Sequence, residues 1–270
     1  MKLSNNTNLK SQKKTADLSN NKVNGNGNGN GNQKQKVIII FGPPGSGKGS
    51  QADLLSKKFY FYNLETSKVL EEKFKKARSN ESIEVDGKKY LMADEAKLWR
   101  EGILCSPTMV TYLIKKQIEE IYSMRKSLIM TGSPRTLYEA QQLMPYLKEK
   151  FGNENISVIF LKLTAKQTIF RNTNRRICEL MRHPILYTKE NAHLTRCPLD
   201  GSKLLRRKGL DSPETIKVRL KEYEQRTLPL LNYFKEQGLE IKTINAGQLV
   251  EKVLKDVLKA LGKDYKNYEL

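Results

Sequence analysis

Cysteine is scarce in this 270-residue chain. There are three, an odd number, which argues against a disulfide framework and leaves metal binding or plain packing as their uses. Long apolar runs are missing too. None approaches the ~18 residues of a membrane span, and the opening MKLSNNTNLKSQKK lacks the apolar centre of a secretory leader. The expectation is a soluble, cytoplasmic protein with no membrane partner. Acidic residues are few as well: 29 Asp and Glu face 49 Lys and Arg, a formal net charge of +20. Such an excess attracts polyanions such as nucleotides and RNA. No tight basic run with interleaved aromatics is present, so nucleic-acid association is expected to be no more than weak and salt-sensitive.

Part of the positive charge sits in residues 1–35, where NGNGNGNGN (Asn24 to Asn32) lies among scattered lysines. With so few apolar groups to offset the entropy of ordering, this segment reads as a disordered arm. A folded domain is expected over 36–262, followed by a tail at 263–270. Buried strands are expected at 37–41, 127–131, 156–161 and 240–244, alternating with helices near 50–58, 66–77, 91–100, 108–123, 136–150, 165–177 and 248–261. That alternation implies an α/β fold with a parallel sheet covered on both faces. Residues 178–210 break the pattern with Pro184, Pro198, Gly201 and Gly209 and read as an insert. A long helix is expected over 212–237, capped by Ser212 and started by Pro213, with Pro229 as a kink.

The most informative stretch is VIIIFGPPGSGKGSQ, Val37 to Gln51. An apolar strand runs into a loop with Gly42, Gly45, Gly47 and Gly49, and then into a helix. Glycines let the backbone N–H groups of such a loop converge on one anion, and the helix start adds its positive end. Lys48 places a cation where β- and γ-phosphate oxygens would sit. Gly45, Ser46, Gly47, Lys48, Gly49 and Ser50 are the candidate phosphate-binding residues. Gly49 separates Lys48 from Ser50, whereas the common phosphate-loop pattern has the hydroxyl directly after the lysine. Transfer between two phosphate groups needs charge neutralisation and in-line positioning more than covalent help, and the planar, bidentate, fixed charge of arginine suits both tasks. Arginines recur after the expected strand ends: Arg135 in GSPRT; Arg171, Arg175 and Arg176 in RNTNRRIC; Arg206, Arg207 and Arg219 in LLRRKGLDSPETIKVRL, which also holds Asp211. Thr215 and Arg219, four apart, share a helix face.

Four segments resemble the adenylate kinases and related nucleoside monophosphate kinases. GPPGSGKGSQA is similar to GxPGxGKGTQ, GSPRT to DGFPRT, RNTNRRIC to RxxxRR, and LLRRKGLDSPETIKVRL to RxDDxxETVxxRL. The resemblance spans roughly 37–262. It implies a P-loop three-layer α/β sandwich with a five-stranded parallel sheet, a helical monophosphate-binding segment at 60–125 and a lid at 178–210. It also implies a monomeric phosphotransferase that interconverts ATP and AMP with two ADP, using Mg²⁺. On that resemblance Arg135 holds the monophosphate, Arg171 covers the ATP base, and Arg175, Arg219 and one of Arg206 and Arg207 neutralise the transferring group near Asp211. Thr66 and Leu104, the latter in Gly102-Ile103-Leu104-Cys105, line the monophosphate site. Glu139 stands where the family has the glutamine that reads adenine.

The departures are specific. Glu65-Thr66-Ser67-Lys68 replaces STGD, Glu71 or Glu72 stands at a phosphate-binding arginine, and Thr131 replaces the strand-end aspartate that orders the Mg²⁺ environment. Lys68 and its neighbours are the candidates to restore the missing positive charge. Two alternatives therefore stay open: a kinase for CMP, UMP or GMP, and a catalytically weak ATP-binding protein. In the lid, Cys178-x2-Met181 and Cys197-x2-Asp200 have zinc-ribbon spacing, with Cys178, Cys197 and Asp200 as candidate ligands. Met181 is a poor zinc ligand, because a neutral thioether suits softer ions. His183 and His193 are alternative fourth ligands. The other option is a metal-free lid packed on Leu194, Leu199 and Leu204.

Overall fold

A computed structural model describes residues 34–265 apart from 79, 183 and 208. The expected arm over 1–35 thus falls outside the described residues except at its end, as do residues 266–270 of the tail and His183. Lys34 and Gln35 belong to the folded body. The ammonium of Lys34 lies 3.0 Å from Glu154, and the Gln35 amide donates to the carbonyls of Tyr122 and Lys126.

In chain order the elements are β1 Val37–Phe41, α1 Lys48–Phe59, β2 Tyr62–Glu65, α2 Thr66–Lys76, β3 Ser82–Val85, β4 Lys88–Leu91, α3 Met92–Glu101, α4 Pro107–Ser123, β5 Leu128–Thr131 and α5 Leu137–Phe151. They continue with β6 Ile156–Lys162, α6 Ala165–Thr173, β7 Arg176–Cys178, β8 Pro184–Ile185, β9 Leu204–Leu205, α7 Pro213–Glu222, α8 Leu230–Glu236, β10 Ile241–Asn245 and α9 Val250–Leu261. Five strands form one parallel sheet in the order β10-β6-β1-β5-β2. Strand β1 is central, and Val37 to Ile40 are fully buried, as the unbroken apolar run requires. Alternate residues of β1 feed two cores. Val37, Ile39 and Phe41 pack with α4, α5 and α8, while Ile38 and Ile40 pack with α1 and α9. Each such side chain contributes roughly 1.5–3 kcal/mol of burial. The P-loop three-layer architecture is therefore present, with a parallel five-stranded centre.

Three local outcomes differ from the sequence reading. The helix expected over 165–177 stops at Thr173, and Arg176–Cys178 instead pairs antiparallel with β8 and β9 in a small sheet within the insert. The helix expected over 212–237 is three pieces: α7, a π-helical turn at Tyr223–Thr227, and α8. Pro229 explains this, since it has no N–H and its ring clashes with the carbonyl of the preceding turn. The chain answers by widening, with Leu228 N–H donating to Tyr223 O at 2.8 Å. Strand β2 and the β3–β4 hairpin were not expected. β2 is a half-polar edge strand, and the hairpin turns at Asp86-Gly87, both with positive φ.

Candidate functional site

Strand β1 ends against the glycine loop, and the loop is built where only glycine fits. A Cβ on Gly42 would lie 2.4 Å from Leu161 O, and one on Gly45 2.4 Å from Asn172 Nδ2. Gly47, with φ of 90°, turns the chain into α1. Lys48, the first residue of that helix, curls back over the loop, and its ammonium donates to Gly42 O at 2.8 Å and Pro43 O at 2.9 Å.

Around Lys48 the fold gathers guanidinium groups from three elements. Arg135 follows β5, Arg175 lies between α6 and β7, and Arg219 lies on α7. Arg175 grips the Asp211 carboxylate with two donors, Nε to Oδ2 at 2.9 Å and Nη2 to Oδ1. Arg219 donates to Leu210 O at 3.1 Å and lies 3.7 Å from the same Asp211 carboxylate. Burial first, and then the charges of Arg135, Arg219 and Arg175, hold Lys48 well below the usual lysine range, with Glu65 opposing. Burial, followed by Arg175, Arg207 and Arg135, pushes Arg219 down to about 9, which still leaves it charged at neutral pH. Cations gathered this closely favour the binding of an anion among them.

Two clefts flank the loop. The first, about 510 Å³, is lined by Phe41, Gly42, Lys48, Gly102, Leu104, Arg135, Arg219, Tyr223 and Thr227 among others. The second, about 660 Å³, is lined by Gly45, Ser46, Gly47, Ser50, Arg171, Arg175, the insert residues Pro184 to Leu186, and Val250 and Val253 of α9. Arg171 is anchored there by Gln248 O at 3.1 Å. Gly49 lines neither cleft; it faces the Glu65 carboxylate.

The structure thus brings together most of the residues singled out above. Neither Arg206 nor Arg207 lines the two clefts; Arg207 is half-buried in the field of Arg175, Asp211 and Arg182, whereas Arg206 is exposed. Arg176 is a strut, donating to the carbonyls of Asn191, Ala192 and Leu194. Thr66 is buried beside Gly132, which lines the first cleft. Glu139 lines neither of these clefts. Its carboxylate accepts from Ser133 Oγ at 2.9 Å, Arg135 N at 3.1 Å and Thr136 Oγ1 at 3.3 Å. The base-reading role expected for Glu139 is left to experiment; in the structure its carboxylate holds the Ser-Pro-Arg-Thr turn. Glu71 pairs with Lys75 at 2.9 Å and with Arg182 of the insert at 3.4 Å. Sequence reasoning missed Glu222, Tyr223 and Arg182. For Glu222 a signal existed, since Thr215, Arg219 and Glu222 share one helix face. Glu222 accepts from Leu104 N at 3.1 Å.

In the insert, the donor atoms of Cys178, Cys197 and Asp200 lie within 4.8 Å of one another. Thiolate and carboxylate are donor types that zinc accepts. Met181 is 63% exposed, and His193 is exposed and outside the group. Leu199, 74% exposed, does not provide the packing expected of it. For Mg²⁺ the donor types match: the Ser50 hydroxyl follows the loop, and the Glu65 carboxylate lies against Gly49. Among the described residues no helix is long and apolar enough to cross a membrane.

A parallel sheet, a glycine loop at the end of its central strand and a ring of cations around one lysine define a P-loop protein built to handle phosphoryl groups. The adenylate kinase family profile matches residues 40–239, and the chain belongs to that family. Similar curated proteins include adenylate kinases from Mycoplasmopsis pulmonis (30% identical over 220 residues, 81% of this chain and 95% of the relative) and Caldicellulosiruptor bescii (28% over 228 residues, 83% and 98%). Another, from Clostridium kluyveri, is 30% identical over 230 residues, 83% of this chain and 97% of the relative. The family places the chain among the nucleoside monophosphate kinases.

Proposed function

We propose that this chain transfers the terminal phosphoryl group of ATP to AMP, reversibly, giving two ADP. The observation that carries this reading is the cation ring. Lys48, Arg135, Arg175 and Arg219 stand between two clefts that share one phosphate loop, so a phosphoryl group can pass from one nucleotide to the other without leaving positive charge. The second cleft takes ATP, with Arg171 against the base and the Gly45–Ser50 amides on the phosphates. The first takes the acceptor, with Arg135 on its phosphate and Leu104 against its base. Arg175, Arg207 and Arg219 neutralise the group in transit, and Asp211 orients two of them. An acceptor monophosphate is already anionic, so no general base is required. Mg²⁺, when bound with ATP, supplies further charge neutralisation at the β- and γ-phosphates.

In this reading 60–125 is the monophosphate-binding segment and 178–210 a lid that excludes water from the phosphates. The chain works as a cytoplasmic monomer. AMP is preferred as acceptor because the relatives are named adenylate kinases. The test is turnover with Mg-ATP and each of AMP, CMP, UMP and GMP. Diphosphate formation fastest with AMP supports the assignment. A different preferred acceptor would replace it with another monophosphate kinase, and ATP binding without turnover would leave only a nucleotide-binding protein.

A further inference from the structure

We propose that Glu65, at the end of the edge strand β2, is the carboxylate that serves the Mg²⁺ of the nucleotide complex. This rests on the reading of the second cleft as the ATP site. Phosphate-loop proteins hold magnesium with a loop hydroxyl and a nearby strand-end carboxylate. Here the strand next to β1 ends in Thr131, which is neutral, and its buried hydroxyl oxygen has no hydrogen-bond partner. In register with Thr131, one strand farther out, is Glu65. Adjacent strands are about 4.8 Å apart, so a carboxylate from β2 needs a long side chain to reach the loop. Glu65 makes that reach: its Oε2 lies 3.6 Å from where a Gly49 side chain would begin, beside Ser50.

The other carboxylates near the ring are committed. Asp211 is taken by Arg175 and Arg219, Glu139 by the turn after β5, and Glu222 by Leu104 N and Arg226. Glu65 is held loosely by comparison. It accepts from Ser67 Oγ at 2.8 Å and pairs at 3.1 Å with Lys68, whose side chain is 65% exposed. Its charge also opposes the depression of Lys48. In the structure the Glu65 carboxylate is turned toward the loop. The glycine at 49 leaves the space through which it approaches.

The experiment measures ATP binding by calorimetry with and without Mg²⁺, and Mn²⁺ affinity of the ATP complex by electron paramagnetic resonance. The proteins are the wild type, Glu65→Gln, Glu65→Gln/Thr131→Asp and Lys68→Ala. In Glu65→Gln, metal-free ATP binding should be unchanged or tighter, since a negative charge leaves, while Mn²⁺ in the ATP complex binds about 10-fold more weakly or worse. Thr131→Asp should restore part of that loss by returning a carboxylate one strand closer. Lys68→Ala should leave Mn²⁺ binding intact or strengthen it. Unchanged Mn²⁺ affinity in Glu65→Gln overturns the proposal and leaves the ATP site standing. So does a Lys68→Ala protein that mimics Glu65→Gln, because the pair would then matter only to local structure. A wild type that binds no ATP removes both the proposal and the functional reading beneath it.

Discussion

Gly102 shows how closely single residues are fitted at this site. Its φ is 83°, and a Cβ there would lie 2.8 Å from both Arg219 Cγ and Thr215 Cγ2. Gly102→Ala should therefore strain the backbone and displace Arg219, costing about 1–3 kcal/mol of stability and lowering turnover. Chemical denaturation and steady-state kinetics check this, and a stable, fully active variant would count against the site as described. Lys48→Ala should lower turnover by roughly 10³-fold or more with an unchanged circular dichroism spectrum. The depressed Lys48 also has a pH signature. Between its folded value and its normal unfolded value the unfolded chain binds more protons, so this residue's penalty on stability fades as pH rises through that window. An arriving phosphate favours the charged form again. ATP binding at alkaline pH, inside that window, should thus take up protons, measurable by calorimetry in buffers of different ionisation enthalpy, and Lys48→Ala should reduce the uptake. Glu139→Gln should cost about 1–3 kcal/mol, because an amide cannot accept from all three donors of the turn, and should leave the order of acceptors unchanged. A changed acceptor order at unchanged stability would return Glu139 to the base pocket. Lys48 and the arginines were legible in the sequence because loop spacing and position after strand ends fix them. Glu65, Arg182 and the choice of Arg207 over Arg206 were not, because only the packing of separate elements decides what those side chains meet.

At the scale of elements, apolar periodicity located the buried strands and most helices to within a residue or two. It failed where local chemistry or tertiary pairing overrode it. Asp86-Gly87 was a readable hairpin signal passed over in a short, charged stretch. The π turn before Pro229 could not be read, since a proline announces a disruption but not its form. The insert poses the sharpest question for an element. Cys178 Sγ donates to Asp200 Oδ2 at 3.1 Å, and Asp200 accepts from Ser202 N at 2.9 Å and Ser202 Oγ at 2.7 Å. These bonds tie Cys178, Asp200 and Ser202 together within the knuckle. Treatment with a chelator should accordingly shift the melting temperature by less than ~2 °C, within the effect of about 1 kcal/mol in a domain of this size. A larger fall, with one zinc per chain released, would show a metal-dependent insert.

For the whole molecule, the sheet order places one loop between two clefts and brings the arginines that follow β5, precede β7 and lie on α7 to the same edge. That architecture followed from the strand–helix alternation and the loop motif, whereas the division of residues between the clefts emerged only in three dimensions. The claim that both clefts serve one transfer is tested most directly by giving the purified chain ADP and Mg²⁺ alone and following products over time. The account predicts ATP and AMP in equal amounts, up to an equilibrium among the three nucleotides. Release of inorganic phosphate with AMP, or no change in ADP, would contradict it.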